Sequence, residues 1–196
     1  MGKLTYIVIH CSDTPPQMKV TREMIESWHK GPRYNPDNTI TYMGRTYYAN
    51  SELPNDYLNG KPIHKLIGRG WDRLGYSDIF HRDGRVENIT EYNQDNIIDA
   101  KEMTWGAVGV NSISRHIVLV GGWRGNMRTG RFPFFDIFSE AQFLSMDRYL
   151  RYNISLHPDI KIIGHYQVPG ANKTCPNFDV ERFCILLKIP RENRGL

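Results

Sequence analysis

Two histidines and one cysteine carry the clearest chemical suggestion in this chain. His10 closes the apolar run Tyr6-Ile7-Val8-Ile9, and His165 closes Lys161-Ile162-Ile163-Gly164. Cys175 follows ten residues after His165, within Lys173-Thr174-Cys175-Pro176. Two imidazoles and a thiolate suit zinc, which takes nitrogen and sulfur ligands tetrahedrally. Three protein ligands leave the fourth position open for water, the arrangement of a catalytic rather than a structural zinc. Such an ion lowers the pKa of its water to about 7 and makes a nucleophile at neutral pH. Spacing alone leaves an alternative open. His-x9-Cys is not a common ligand spacing, and both histidines can be read as strand-end residues bonded to backbone, with Cys175 as buried filler.

The cysteine count bears on the same question. There are three, Cys11, Cys175 and Cys184. An odd number argues against a disulfide framework. It favours one thiol as ligand or nucleophile, with the other two filling the core. A cysteine hydrolase that uses Cys11 or Cys175 with a histidine stays open as a metal-free rival.

These residues act together only if the fold gathers them. Tyr6-Ile7-Val8-Ile9 reads as a buried strand that stops at His10 and opens into a polar loop, which puts His10 at a sheet edge. His116 to Val120 reads as another apolar strand closed by Gly121-Gly122, and Lys161 to His165 as a third. Ile79-Phe80-His81 and Val86 flank Asp83-Gly84, a hairpin turn signal. Thr21 caps a predicted helix through about His29, with Met24, Ile25 and Trp28 on one face. Ser139 with Gln142 is a capping-box signature, opening a helix with Phe143, Met146 and Leu150 on one side. Asp179 caps a last helix through about Leu187. From Gly31 to Gly70 the text turns rich in Asn, Pro, Gly and Tyr without a sustained period, and the one element expected there is a small hairpin at Thr39–Tyr48 across Met43-Gly44. The fold class expected is α/β: a central mixed β-sheet flanked by helices. The expected organisation is a single domain over residues 1–196 with an inserted loop at 31–70.

Composition sets the frame. The chain has 196 residues, 40% of them apolar and 12% aromatic, enough to fill one real core. A net charge of +4 is a mild basic bias, compatible with an anionic partner such as a cell wall. No single stretch is strongly basic, so no nucleic-acid partner is expected. No run approaches the roughly 20 apolar residues of a membrane helix, so no membrane insertion is expected. The apolar run after Met1 is too short for a signal peptide, and the expectation is synthesis in the cytoplasm without an export signal.

Taken together, the motifs resemble a known family. Ile9-His10-Cys11-Ser12-Asp13-Thr14 resembles the opening His-x-Ser-x-Thr motif of type 2 N-acetylmuramoyl-L-alanine amidases. That family includes phage lysozymes, muropeptide-recycling amidases and animal peptidoglycan recognition proteins. Gly75-Tyr76 followed by Ile79-Phe80-His81-Arg82-Asp83-Gly84 resembles its Gly-Tyr and Asp-Gly hairpin. Asn111-Ser112-Ile113 and Val118-Leu119-Val120-Gly121-Gly122 match the segment between. Gly164-His165, Pro169-Gly170 and Lys173-Thr174-Cys175-Pro176 resemble its closing metal motif. The match runs in the family's order from about Tyr6 to Phe183.

The resemblance implies a phage-lysozyme-like and recognition-protein-like fold, with His10, His165 and Cys175 as ligands of Zn2+. It implies Tyr76 as a catalytic tyrosine near the metal and Lys173 as the cation facing a developing oxyanion. The implied reaction is hydrolysis of the amide between N-acetylmuramic acid and L-alanine in peptidoglycan, by a monomer whose partner is the muropeptide itself. Cysteine as third ligand favours the phage branch, hence an endolysin that reaches the wall after release. The alternatives are a cytosolic muropeptide-recycling amidase and a non-catalytic peptidoglycan-recognition module. Several features depart from the family. The 31–70 stretch is longer than usual, and Ser77-Asp78 follow Tyr76. Thr104-Trp105-Gly106-Ala107 stands where a His-Ala pair is common, so no substrate histidine is assigned. The strand Ile117 to Val120 lacks the glutamate base of recycling amidases. Ser114-Arg115-His116 resembles a small insertion, and His116 is assigned no ligand role.

Overall fold

A computed structural model describes residues 2–48, 67–123 and 131–195. The chain divides into two compact units, Met1–Lys19 with Tyr76–Leu196, and Val20–Gly75. In chain order the strands and α-helices are β1 (Gly2–Lys3), β2 (Tyr6–Cys11), α1 (Arg22–Lys30), β3 (Arg33–Tyr34), β4 (Thr39–Tyr42), β5 (Arg45–Tyr48), β6 (Asp78–Phe80), β7 (Val86–Asn88), β8 (Ile97–Ile98), β9 (Ser114–Leu119), α2 (Phe134–Ile137), α3 (Glu140–Leu156), β10 (Lys161–Gly164) and α4 (Val180–Leu186). This is the mixed α/β arrangement that the sequence pattern predicts.

The larger unit is built on a five-stranded sheet of order β10-β2-β9-β6-β7. β10, β2, β9 and β6 run parallel, and only β7 returns antiparallel, through the Asp83-Gly84 hairpin. Strands of a parallel sheet are covered on both faces, which is why β2 and β9 read as near-continuous apolar text rather than alternation. Ile7, Val8, Ile9, Ile117, Val118 and Leu119 are completely buried. Helix α3 lies against this sheet, with Met146 and Leu150 fully buried and Phe143 packed on the same core. Gln142 fixes its start: its Nε2 donates to the carbonyls of Phe80 and Val120, both at 2.9 Å. The rings of Phe134, Phe178 and Phe183 close the cluster, with centroids 4.7 to 5.2 Å apart.

The helix starts follow the caps expected of them. Thr21 accepts from the Met24 backbone, Asp179 accepts from Arg182, and Ser139 and Gln142 form the full reciprocal box. β2 runs through His10 to Cys11 and lies inside the sheet between β10 and β9, so His10 sits at the C-terminal rim of an interior strand and not on a sheet edge. The physical reason is the second parallel neighbour, β10, more than 150 residues away in sequence, whose register pairs Gly164 with Ile9.

In the smaller unit α1 is followed by a three-stranded antiparallel sheet, β3-β4-β5. The hairpin at Thr39–Tyr48 is present, with Met43 and Gly44 both at positive φ in its turn. His29 Nδ1 accepts from the Gly75 backbone at 3.1 Å, and its ring lies 5.1 Å from Trp71. The 31–70 stretch is thus ordered structure over its first part; residues 49–66 lie outside the described residues.

Candidate functional site

The C-terminal ends of parallel strands are where side chains of distant sequence meet over an open face. His10 lies at the end of β2 and is 1% exposed. His165 is the first residue after β10, opening a short 3-10 turn, and the pairing of Gly164 with Ile9 sets it beside His10. Their ring centroids are 4.7 Å apart, edge to face. Cys175 comes in on the loop that follows. Its carbonyl accepts from the Tyr166 backbone at 3.0 Å, which stitches the cysteine back to the His165 turn.

Asn177 anchors that loop from below. Its backbone takes a positive φ of 71°, and it is 1% exposed. Its Nδ2 donates to the Gly122 carbonyl at 2.8 Å and to Asp13 at 3.1 Å, with Cys11 Sγ at 3.4 Å. Gly122 is glycine for a reason of space: it has φ +81°, and a Cβ there would stand 2.8 Å from the Cys11 Cβ.

The outcome is a compact donor set. One nitrogen from each of His10 and His165 and the sulfur of Cys175 all lie within 4.8 Å of one another. Cys175 Sγ is 3.8 Å from His10 Nδ1 and accepts from the Cys11 backbone N–H at 3.4 Å. Hydrogen bonding from Cys11 holds the Cys175 thiol well below the ordinary thiol range, and His10 and His165 add to this against the opposing effect of burial. A thiolate is the form that binds metal. Burial lowers the His10 pKa, which keeps the imidazole in the neutral, ligating form. The chemistry of the set therefore fits a zinc ion. No other cluster of this kind occurs among the described residues.

The other residues singled out in the sequence fall in different places. The Tyr76 ring lies 5.1 Å from the His10 ring, beside the donor set. Lys173 is exposed, two residues before Cys175, and no hydrogen bond or ion pair ties it to the cluster. Cys184 is buried in the core, with its thiol pushed up to about 12 by burial. Asp78 points away from this chemistry into a buried network with Ser77, Asn88 and Tyr149. Trp105 is half-buried.

One residue given no role in the sequence reading touches the site. His116 is completely buried, and its Nδ1 is 3.1 Å from His10 Nε2. In β9 it pairs with Val8, so it lies diagonally across from His10 on the same face of the sheet. Burial, and then the charges of His10 and His165, hold its pKa well below the ordinary histidine value. The only signal in the sequence was a histidine inside an apolar strand, and its partner depends on a register that the sequence does not reveal.

No family model matches the chain. It is similar to two phage endolysins along nearly its full length. It is 26% identical to the endolysin of Escherichia phage T7 over 191 residues, covering 96% of this chain and 91% of that one. It is 25% identical to the endolysin of Enterobacteria phage K11 over 189 residues, covering 95% and 89%. Among solved structures, the fold is shared with the N-acetylmuramoyl-L-alanine amidase LysC of Clostridium intestinale, at TM-score 0.55 and 17% identity, covering 96% of this chain and 87% of that one. It is also shared with the bumblebee peptidoglycan recognition protein PGRP-SA, at TM-score 0.53 and 17% identity, covering 98% and 84%.

Proposed function

We propose, from its resemblance to the type 2 N-acetylmuramoyl-L-alanine amidases in sequence and in fold, that this chain is a zinc amidase that hydrolyses the bond between N-acetylmuramic acid and L-alanine, and that it serves as an endolysin. The observation that carries the reading is the meeting of His10, His165 and Cys175 within 4.8 Å at the rim of a parallel sheet. The two endolysins support the biological setting. When bound, zinc supplies Lewis-acid polarisation of the amide carbonyl and a water acidified to near neutrality.

The chain's own residues do the rest. His10 and His165 hold the metal through neutral imidazoles and Cys175 through its thiolate. Tyr76, packed beside the His10 ring, orients the attacking water or exchanges a proton with it. Lys173 supplies a cation to the oxygen that gains charge in the transition state. Loss of either side chain is expected to lower turnover by about 10²- to 10³-fold, the usual cost of one oxyanion donor.

The test measures zinc content and peptidoglycan cleavage together, for wild type and Cys175→Ala. The expected result is about one zinc per wild-type chain, with release of new L-alanine amino termini and no new reducing sugar ends. Chelator abolishes cleavage, zinc restores it, and Cys175→Ala lacks both metal and activity. Cleavage that survives chelation points to a cysteine hydrolase and sinks the proposal. A metal-free chain that binds peptidoglycan without cutting it leaves a recognition module, the reading that the likeness to PGRP-SA favours.

A further inference from the structure

A histidine that ligates a metal through one ring nitrogen must place a proton on the other, and that N–H needs an acceptor. The usual acceptors are a carboxylate, a backbone carbonyl or a water. Here His10 turns Nδ1 toward Cys175 Sγ, at 3.8 Å, and Nε2 toward the Nδ1 of His116, at 3.1 Å. We propose that His116 is a positioning residue: its Nδ1 accepts the Nε2–H of His10 and so commits His10 to offer Nδ1 to the metal. This rests on the zinc reading above.

Three observations support the assignment. His10 is 1% exposed and His116 is 0% exposed, so water does not compete for the contact. The pairing of Val8 with His116 and of His10 with Val118 fixes both imidazoles on one sheet face, through backbone hydrogen bonds that do not depend on either side chain. The remaining ring nitrogen of His116, Nε2, is buried without a hydrogen-bond partner among the described residues. A buried imidazole with one nitrogen unsatisfied costs stability, and an apolar residue would sit in this strand at no such cost. The single polar contact that the His116 side chain makes among the described residues is therefore the function that its presence serves. An imidazole acceptor also differs from a carboxylate in carrying no charge. It fixes the tautomer of His10 without adding a negative charge behind the ligand.

The test compares His116→Leu, which removes the acceptor, with His116→Asn, whose carboxamide oxygen reaches the place of Nδ1. Zinc affinity is read by competition with a chromophoric chelator, and the melting temperature of the metal-free protein is read in parallel. Wild type binds one zinc, His116→Leu binds it about 10- to 100-fold more weakly, and His116→Asn stays within a few-fold of wild type. Equal affinity in wild type and a folded His116→Leu overturns the proposal. Equal weakening in the Leu and Asn variants overturns it too, because that pattern belongs to packing. If His116→Leu fails to fold, ring 15N shifts of zinc-loaded wild type decide the matter: coordination through His10 Nδ1 with a protonated Nε2 upholds it, and coordination through Nε2 overturns it. A wild type that binds no zinc fails at the earlier reading instead.

Discussion

Asp78 shows what a buried charge does when it is not part of the chemistry. It is 2% exposed and accepts from Ser77 Oγ at 2.9 Å, Tyr149 OH at 2.9 Å, Asn88 Nδ2 at 3.1 Å and Tyr92 OH at 3.3 Å. Arg115 stacks over the Tyr92 ring at 3.7 Å and closes the group. Burial raises the Asp78 pKa, and the hydrogen bonds pull it only part of the way back. The folded state therefore keeps this proton above pH 3.8, where an unfolded chain has begun to lose it. The native state binds more protons in that window, so the contribution of Asp78 to stability is greatest below pH 3.8 and declines as pH rises toward the folded value. Urea unfolding across this range should show the decline in wild type minus Asp78→Asn, and a flat difference would contradict it. Asp78→Ala strands several donors at once and is expected to lose about 3 kcal/mol. The sequence placed Asp78 two residues after Tyr76 without saying which way it faces. Inside β6 alternate residues point to opposite faces, and that parity is set by the pairing with β9.

At the scale of elements, what was legible was local. Thr21, Ser139 and Asp179 announce their helices because a cap and its partner lie three residues apart. The Asp83-Gly84 turn likewise carries its own backbone requirement, with Gly84 at φ 86°. Ser139 does more than cap, since its Oγ also donates to the Arg82 carbonyl at 2.6 Å and so ties α3 to the β6–β7 hairpin. Ser139→Ala should therefore cost about 2 kcal/mol, the upper end for an N-cap, as read in a thermal melt. A loss of a few tenths would mean that the Arg82 contact adds nothing. What was not legible was pairing. Nothing near residue 10 says that β10 is its neighbour, or that β9 offers His116 to it. Those contacts depend on a global register.

For the whole molecule, the resemblance carried further than periodicity did. It singled out His10, His165 and Cys175 together, and the structure brings their donor atoms within reach of one ion. It did not reveal the ordered β3-β4-β5 sheet in the smaller unit, where the sequence shows little period. A ligand that binds only the folded state stabilises it by mass action. Free zinc at 100 times its dissociation constant should add about 2.7 kcal/mol to the unfolding free energy, and chelation should lower the melting temperature accordingly. An unchanged melting curve would count against a metal at this site. The trio has a temporal side as well. His10 and Cys175 stand 165 residues apart in the chain. A ribosome that adds about 5–20 residues per second needs on the order of ten seconds or more to cover that interval. Until it does, the nascent chain holds at most two of the three donors, so the complete donor set cannot form while most of the chain is being made.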